Sequence, residues 1–548
     1  MASTLLDVLS GSPSAPALVL CGGGHVIQRQ ALRSAVEDLA ARLIASGLKP
    51  NQTVSLAFEN NLEYVVSFLA VTWARGVAAP LNAAYKVEEH RFYLEDGQAV
   101  LLLLPTSGNA AALEAAKQLG VPVAHVHVEL QGSSCAASPR VHLTPVQGNL
   151  SWAGPGSRAL PQPPQPADVA LFLHTSGTTG RPKGVPLSHA NLTASLANIT
   201  ATYDLGPADV SYLVMPLFHV HGLMAGFLAP LAAGGSVVLP AAGRFTASTF
   251  WPDCCAHKVT FYTAVPTIHQ VLLARAAKDY PAAHPPPLRF IRSCSSALAP
   301  ATLARLEATF KVPVLEAYAM TEASHQMTSN PLPRHGPHKP GTVGRAQGGV
   351  SVAILDAANR LLPVGEVGEV CIRGPNVTPG YHNNPKANEE AFAGGWFHTG
   401  DQGYLDPEGY VTLTGRLKEL INRGGEKISP LEVDACLLSH PAVAEAVSFG
   451  APDDKYGEVV AAAVVLKPGA ARAGVEAAVM EHCRAKLAAF KVPSMVFVAE
   501  SLPKTATGKI QRRHMVTAFI KPGAGTGAAG GGTPASGAAA PPPLRSKL

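Results

Sequence analysis

Apolar residues in the first three hundred positions fall into short runs, with stretches between them where they recur at helical spacing. The runs at 53–57, 100–104, 169–173, 211–215, 236–239, 259–262, 288–293 and 314–317 are rich in Val, Ile and Leu. Near-continuous apolar runs of this length read as strands buried on both faces. Ser188 stands as N-cap before a helix starting at His189, and Thr246 before one over 247–256. Strands alternating with helices predict parallel sheets covered on both sides. Two such halves follow from the pattern, divided by a Pro-, Gly- and Ser-rich stretch at 131–168 that reads as a long surface loop.

Beyond Gly341 the pattern changes. Runs at 350–355, 368–373 and 410–414, punctuated by Gly, Pro and Asn, predict short antiparallel strands. Charges and glycines cluster at 415–425, as at a hinge. Residues 429–509 then read as a small α+β domain, with helices at 431–439 and 475–487 and strands at 442–449, 459–466 and 494–498. From 522 to 543 the chain is almost wholly Gly, Ala, Pro, Ser and Thr. It has too little apolar surface to order itself and is expected to be a disordered spacer.

Length and composition narrow the field. A chain of 548 residues exceeds one ordinary domain. The net charge of +5 with no long Lys/Arg run gives no reason to expect nucleic acid or an anionic membrane as partner. No apolar stretch approaches the ~20 residues a bilayer span needs. The N-terminus lacks the pattern of a secretory signal. Eight scattered cysteines form no C-x-x-C pair and read as buried thiols. Ser546-Lys547-Leu548 spell the S-K-L address, so a peroxisomal import receptor is the expected partner and the peroxisome the expected location, with the cytoplasm as alternative.

Candidate chemistry sits where strands end. Thr175 to Gly184 read T-S-G-T-T-G-R-P-K-G after the run at 169–173. Backbone N–H groups and hydroxyls of such a loop can surround phosphate oxygens, and Lys183 adds a point charge. The loop is not of the G-x-x-x-x-G-K-[ST] type. In Tyr318-Ala319-Met320-Thr321-Glu322 the ring can stack on a base, the threonine can bond a phosphate and the carboxylate can hold Mg2+. In Thr399-Gly400-Asp401 the aspartate can accept ribose hydroxyls. Gly415-Arg416-Leu417-Lys418-Glu419 gathers charges at the junction, and Lys509 follows a flexible Gly508 near the end. Taken singly, each motif also fits a surface turn or a solvated loop.

In this order the segments resemble the signatures of the adenylate-forming superfamily, which includes acyl-CoA synthetases, 4-coumarate–CoA ligases, luciferases and peptide-synthetase adenylation domains. The resemblance spans about residues 20–515. It implies an ATP site formed by Thr175, Ser176, Gly177, Thr178, Thr179, Lys183, Ser296, Ala297, Glu316, Ala317, Tyr318, Thr321, Asp401, Arg416 and Lys509. It implies Mg2+ on Glu322, catalytic roles for Lys509, Thr321, Glu322 and His219, and a hinge at Lys418. Ala319 departs from the superfamily's Y-G-x-T-E pattern by one methyl beside the nucleotide. The implied fold is α/β: a large N-terminal domain of two doubly wound α/β halves plus a small β-barrel-like part (1–415), a hinge (416–418), a smaller mobile α+β C-terminal domain (419–520) and a tail (521–548).

Segments 215–222, 290–300, 316–325 and 420–430 are similar to plant and fungal oxalate–CoA ligases. The implied reaction joins a carboxylate to the α-phosphate of ATP, releasing pyrophosphate. CoA thiol then displaces AMP after the small domain swings about Lys418. Ser295, His325, His219 and His221 stand where a fatty-acid or coumarate pocket would be apolar. His325 is expected one helical turn beyond Thr321, and Ser295 at the end of the neighbouring strand. These two are expected to hold a distal carboxylate whose burial needs donors, with His219 gating the acyl channel. A satisfied core histidine and a capping serine are the plainer readings. A medium-chain or aromatic-acid ligase, a luciferase-like oxygenase and a non-catalytic nucleotide-binding scaffold are the competing functions. Monomer and homodimer both remain open.

Overall fold

The computed structural model describes residues 3–132, 136–148, 162–175, 182–505 and 508–520. The chain forms two compact units that part between Leu413 and Thr414. The expected α/β class holds. In the first unit a nine-stranded sheet runs in the order Arg345–Ala346, His325–Ser329, Val314–Met320, Phe290–Ser293, Phe261–Ala264, Val210–Tyr212, Ser236–Leu239, Pro16–Leu20, His25–Gln28. Its six central strands are parallel and its edges antiparallel. A seven-stranded sheet runs Ser138–Gln147, Val123–Gln131, Ala99–Pro105, Thr53–Leu56, Val77–Pro80, Val169–His174, Gly184–Ser188, again parallel within and antiparallel at both edges. Both sheets are packed as the apolar runs require: Leu101 to Leu104 are all nearly or fully buried, and so is every side chain of helix Leu62–Trp73 after Glu63.

The part expected after Gly341 is a four-stranded antiparallel sheet, Ser351–Leu355, Gly368–Arg373, Phe397–Leu405 and Val411–Arg416. The second unit carries a five-stranded sheet. Glu426–Ile428, Ile421–Arg423, Gly457–Leu466 and Val443–Asp453 lie in order, and Met495–Ala499 pairs with Gly457–Leu466. Helices Pro430–Leu438 and Val475–Arg484 share its hydrophobic core.

Three expectations need correction. The two halves are not consecutive, because Pro16–Leu20 and His25–Gln28 complete the sheet of the later half. The stretch at 131–168 is not all loop. Ser138–Gln147 forms an antiparallel edge strand, which exposes one face and so lacks a continuous apolar run. Ser188 caps its helix in a reciprocal capping box with Asn191, but Thr246 makes no side-chain capping bond, and only its carbonyl serves the helix start. Among the described residues no helix is long and apolar enough to cross a membrane.

Candidate active site

Ligands of open parallel sheets bind at the carboxyl ends of the strands. Here those ends bring Thr321, Ser295 and His219 to one rim of the nine-stranded sheet. Val314–Met320 ends in a single 3-10 turn, Thr321–Ala323, and the chain reverses at once into His325–Ser329. Glu322 is buried at 6% exposure, and its Oε1 accepts a 2.8 Å bond from the Tyr381 hydroxyl. Lys183 Nζ lies 4.4 Å from the centre of the same ring. The backbone ties the loop down as well: Thr175 N donates to Lys183 O at 3.0 Å, and His382 N to Gly184 O at 2.8 Å. Lysine, tyrosine and glutamate thus converge. The Glu322 carboxylate, with the Thr321 hydroxyl, offers the hard oxygen ligands that suit Mg2+. Ser176, Gly177, Thr178 and Thr179 lie outside the described residues.

Asp401 and Tyr318 are both buried, and the Tyr318 hydroxyl donates to Asp401 Oδ2. The turn before Asp401 is braced three ways. Thr399 Oγ1 donates to Val370 O at 2.6 Å and accepts from Asp401 N at 3.1 Å, and Gly400 N donates to Glu369 Oε1 at 2.9 Å. Gly400 has φ +73°, where a β-carbon is disfavoured. Ser296 and Ala297 are exposed, as a cleft floor requires, and Ala317 is buried in its strand. The Glu316 carboxyl is buried, accepts from Gly341 N at 2.9 Å, and is pushed by desolvation up to about 8.

The residues expected on the acyl side are polar. After His219 the chain winds as a π-helix, His221–Leu228, a form frequent at functional sites. His221 is fully buried. Its N–H of the backbone donates to His219 Nδ1 at 3.1 Å, and its ring stacks on His325 with centroids 5.1 Å apart. Ser295 Oγ lies 3.1 Å from His221 Nδ1. His325 is also buried, and its Nε2 has no hydrogen-bond partner among the described residues. The expectation of a helical turn between Thr321 and His325 is overturned, since a hairpin reversal brings His325 there instead. Ser295 does not end the strand Phe290–Ser293 but follows it. Ser295, Ser324 and His325 have φ values of +71°, +50° and +93°. Such left-handed non-glycine residues store of order 1–3 kcal/mol and collect at ligand sites.

In the second unit Lys509 N donates to Thr505 Oγ1 at 3.1 Å, and Thr505 N to Lys509 O at 2.8 Å. Gly508 has φ +82°, so glycine is needed for the turn rather than for looseness. Lys509 is exposed. Lys504 is not merely solvated, since it pairs with Glu445 at 2.7 Å. Arg416 ends its strand, and Lys418 lies in the 3-10 turn Leu417–Glu419. Arg512, three residues after Lys509, is anchored by Asp434 at 2.8 Å and Glu419 at 3.2 Å. Sequence reasoning passed over Tyr381, Arg292 and Arg512. The first showed only as an aromatic in a Gly-Tyr-His turn, the second as one of two arginines in an apolar run, the third as one of two adjacent arginines.

Residues 7–382 match the AMP-binding enzyme family, and residues 432–509 match the AMP-binding enzyme C-terminal domain. A probable CoA ligase of Humulus lupulus is 53% identical, over 92% of this chain and 93% of that protein. Oxalate–CoA ligases of Arabidopsis thaliana and Saccharomyces cerevisiae are 51% and 48% identical, covering 95% and 86% of this chain and 99% and 87% of their own. The ATP-bound crystal structure of MatB from Rhodopseudomonas palustris is similar at a TM-score of 0.83 and 30% identity, over 95% of this chain and all of that one. The chain therefore belongs to the AMP-binding enzymes, as an AMP-forming acid–thiol ligase whose substrates include ATP and CoA.

Proposed function

We propose that the acid is oxalate and the product oxalyl-CoA. One observation carries this reading: the acyl side ends in Ser295, His221 and the buried Nε2 of His325, unpartnered among the described residues, where an aliphatic or aromatic acid needs apolar lining. A second carboxylate one bond from the first must find donors when it leaves water, and Ser295 and His325 offer them. The named activity of the two oxalate–CoA ligase relatives supports the same choice.

In this reading Thr175, Lys183 and the intervening loop cradle the triphosphate, while Tyr318 and Asp401 receive adenine and ribose. Glu322, oriented by Tyr381, holds Mg2+ with Thr321 beside it, and the ion when bound draws charge from the phosphate oxygens. Carboxylate and α-phosphate are both anions, so joining them depends on positioning and neutralisation. Lys509 brings an ammonium to the growing negative charge. His219 gates the acyl channel. Residues 416–418, with Lys418, form the hinge on which the C-terminal domain, 419–520, turns to admit the CoA thiol. Import into the peroxisome through Ser546-Lys547-Leu548 completes the proposal; those residues lie outside the described ones.

A panel of acids with ATP, Mg2+ and CoA, followed by AMP release, tests it. Oxalate is expected to give the highest kcat/KM. Hexanoate or 4-coumarate exceeding oxalate by tenfold overturns it in favour of a mono-acid ligase. Appending the last dozen residues to a fluorescent protein tests the address.

A further inference from the structure

The strand Phe290–Ser293 carries a fully buried arginine, Arg292, at 1% exposure. Its Nε donates to the Tyr203 hydroxyl at 2.8 Å and its Nη2 to Gln326 Oε1 at 3.1 Å. Its Nη1 faces Thr263 Oγ1 at 3.1 Å and His221 Nε2 at 3.4 Å. The Cys294 thiol also lies against the guanidinium, and among the described residues Arg292 makes no ion pair with a carboxylate. Arg512, half-buried, is compensated by Asp434 and Glu419. Arg29 is also buried, but it donates to the carbonyls of Val8, Ser10 and Gly235, which serve the fold. An arginine cannot shed its proton. Desolvating a charge that no carboxylate pairs is costly, so this arginine calls for a role beyond packing.

The bonds around His221 supply one. An arginine N–H can only donate, so His221 Nε2 accepts from Arg292. Thr263 Oγ1, which accepts from the same Nη1, lies 2.6 Å from Nε2. The tautomer that suits the Arg292 contact carries the imidazole proton on Nδ1, which lies 3.1 Å from Ser295 Oγ. Ser295 Oγ accepts that bond, and its own hydrogen is directed elsewhere. Arg292, His219 and His269 hold His221 neutral by repulsion added to burial, while His325 stacks on its face. None of these neighbours is an acid.

We propose that Arg292 is the positioning residue that makes this end of the acyl site select acids with a second negative charge. It fixes the Nδ1–H tautomer of His221, so that Ser295 donates toward the distal carboxylate, and its own charge is compensated only when such a carboxylate is bound. The inference rests on the proposed acid-binding role of Ser295 and His325. It adds the cause of discrimination and a residue no contact with the acid would reveal.

Oxamate provides the test, because it has the shape of oxalate with an uncharged amide at the distal end. The parent enzyme is expected to prefer oxalate to oxamate by at least about 100-fold in kcat/KM, the scale on which a buried group left unpaired discriminates. Arg292→Met should reduce that ratio at least tenfold, through a raised KM for oxalate with the KM for ATP unchanged. Arg292→Lys should restore part of it. Should Arg292→Met fail to fold, nitrogen-15 NMR of histidine in the parent enzyme at pH 7 decides: His221 must carry its proton on Nδ1, and the Nε2–H tautomer overturns the proposal. Equal losses for oxalate and oxamate in Arg292→Met also overturn it, while leaving the oxalate reading intact. If the acid panel instead shows a preference for acids with one carboxylate, both readings fall. If another dicarboxylate wins, the oxalate assignment falls and Arg292 is judged by the same ratio for that acid and its monoamide.

Discussion

The Tyr381 hydroxyl donates to Glu322 Oε1 at 2.8 Å while the Lys183 ammonium sits 4.4 Å from the centre of the Tyr381 ring. One tyrosine therefore orients two groups nearly 140 residues apart in sequence. Tyr381→Phe keeps the ring and removes the bond. A hydrogen bond to a charged group contributes about 1.5–3 kcal/mol, so kcat/KM for ATP should fall by about 10- to 100-fold, with a higher Mg2+ requirement. Pyrophosphate release measured against Mg2+ concentration checks it; an unchanged Mg2+ dependence would detach Tyr381 from the metal role of Glu322.

Lys509→Ala should slow pyrophosphate formation by about 100- to 1,000-fold, the usual loss on removing one donor to transition-state charge. Transfer from preformed acyl-adenylate to CoA should continue near its normal rate, and ATP binding should change little. The two half-reactions assayed apart decide this. Arg512→Ala is a contrasting control. It leaves Asp434 and Glu419 without their shared cation, and breaking such a buried pair destabilises by about 3–5 kcal/mol. Its second unit should unfold at lower urea concentration, which Lys509→Ala should not do.

Ser295 holds φ at +71°, a conformation glycine adopts without penalty. Ser295→Gly should leave the melting temperature unchanged or raise it, while KM for the acid substrate rises tenfold or more because the hydroxyl is lost. Calorimetry and steady-state kinetics on one preparation test both halves. A variant that binds the acid normally would remove Ser295 from the site.

His90 is buried, and neither of its ring nitrogens has a hydrogen-bond partner among the described residues. Burial holds its pKa down to about 4, against a slight upward pull from Glu89. In the unfolded chain it takes a proton below about pH 6.5, the ordinary histidine value. Between those values the unfolded state binds the proton and the folded state does not, so stability is lost as pH falls from 6.5 toward 4. Buried His189 and His269, also held at about 4, add to the same slope. His90→Phe should be neutral or stabilising at pH 7 and should flatten this limb by up to about 1.4 kcal/mol per pH unit. Urea midpoints at pH 7 and pH 5 measure the difference.

Local pattern determined much of this protein. The buried runs at 100–104 and 169–173 could only be interior strands, and Ser188 with Asn191 could announce a helix, because burial and capping act over a few residues. Edge strand Ser138–Gln147 escaped, since one solvated face breaks the apolar run on which recognition depends. The site divides in the same way. Thr321-Glu322 and Thr399-Gly400-Asp401 stand out in the chain because short motifs carry their own turn chemistry. That Tyr381 reaches Glu322, that His325 arrives by a hairpin rather than a helical turn, and that Arg292 lies behind His221 without a carboxylate were decided only by tertiary packing. Hydrogen bonds and buried charge depend on distances through space, and the order of residues sets those distances only after the sheets have formed.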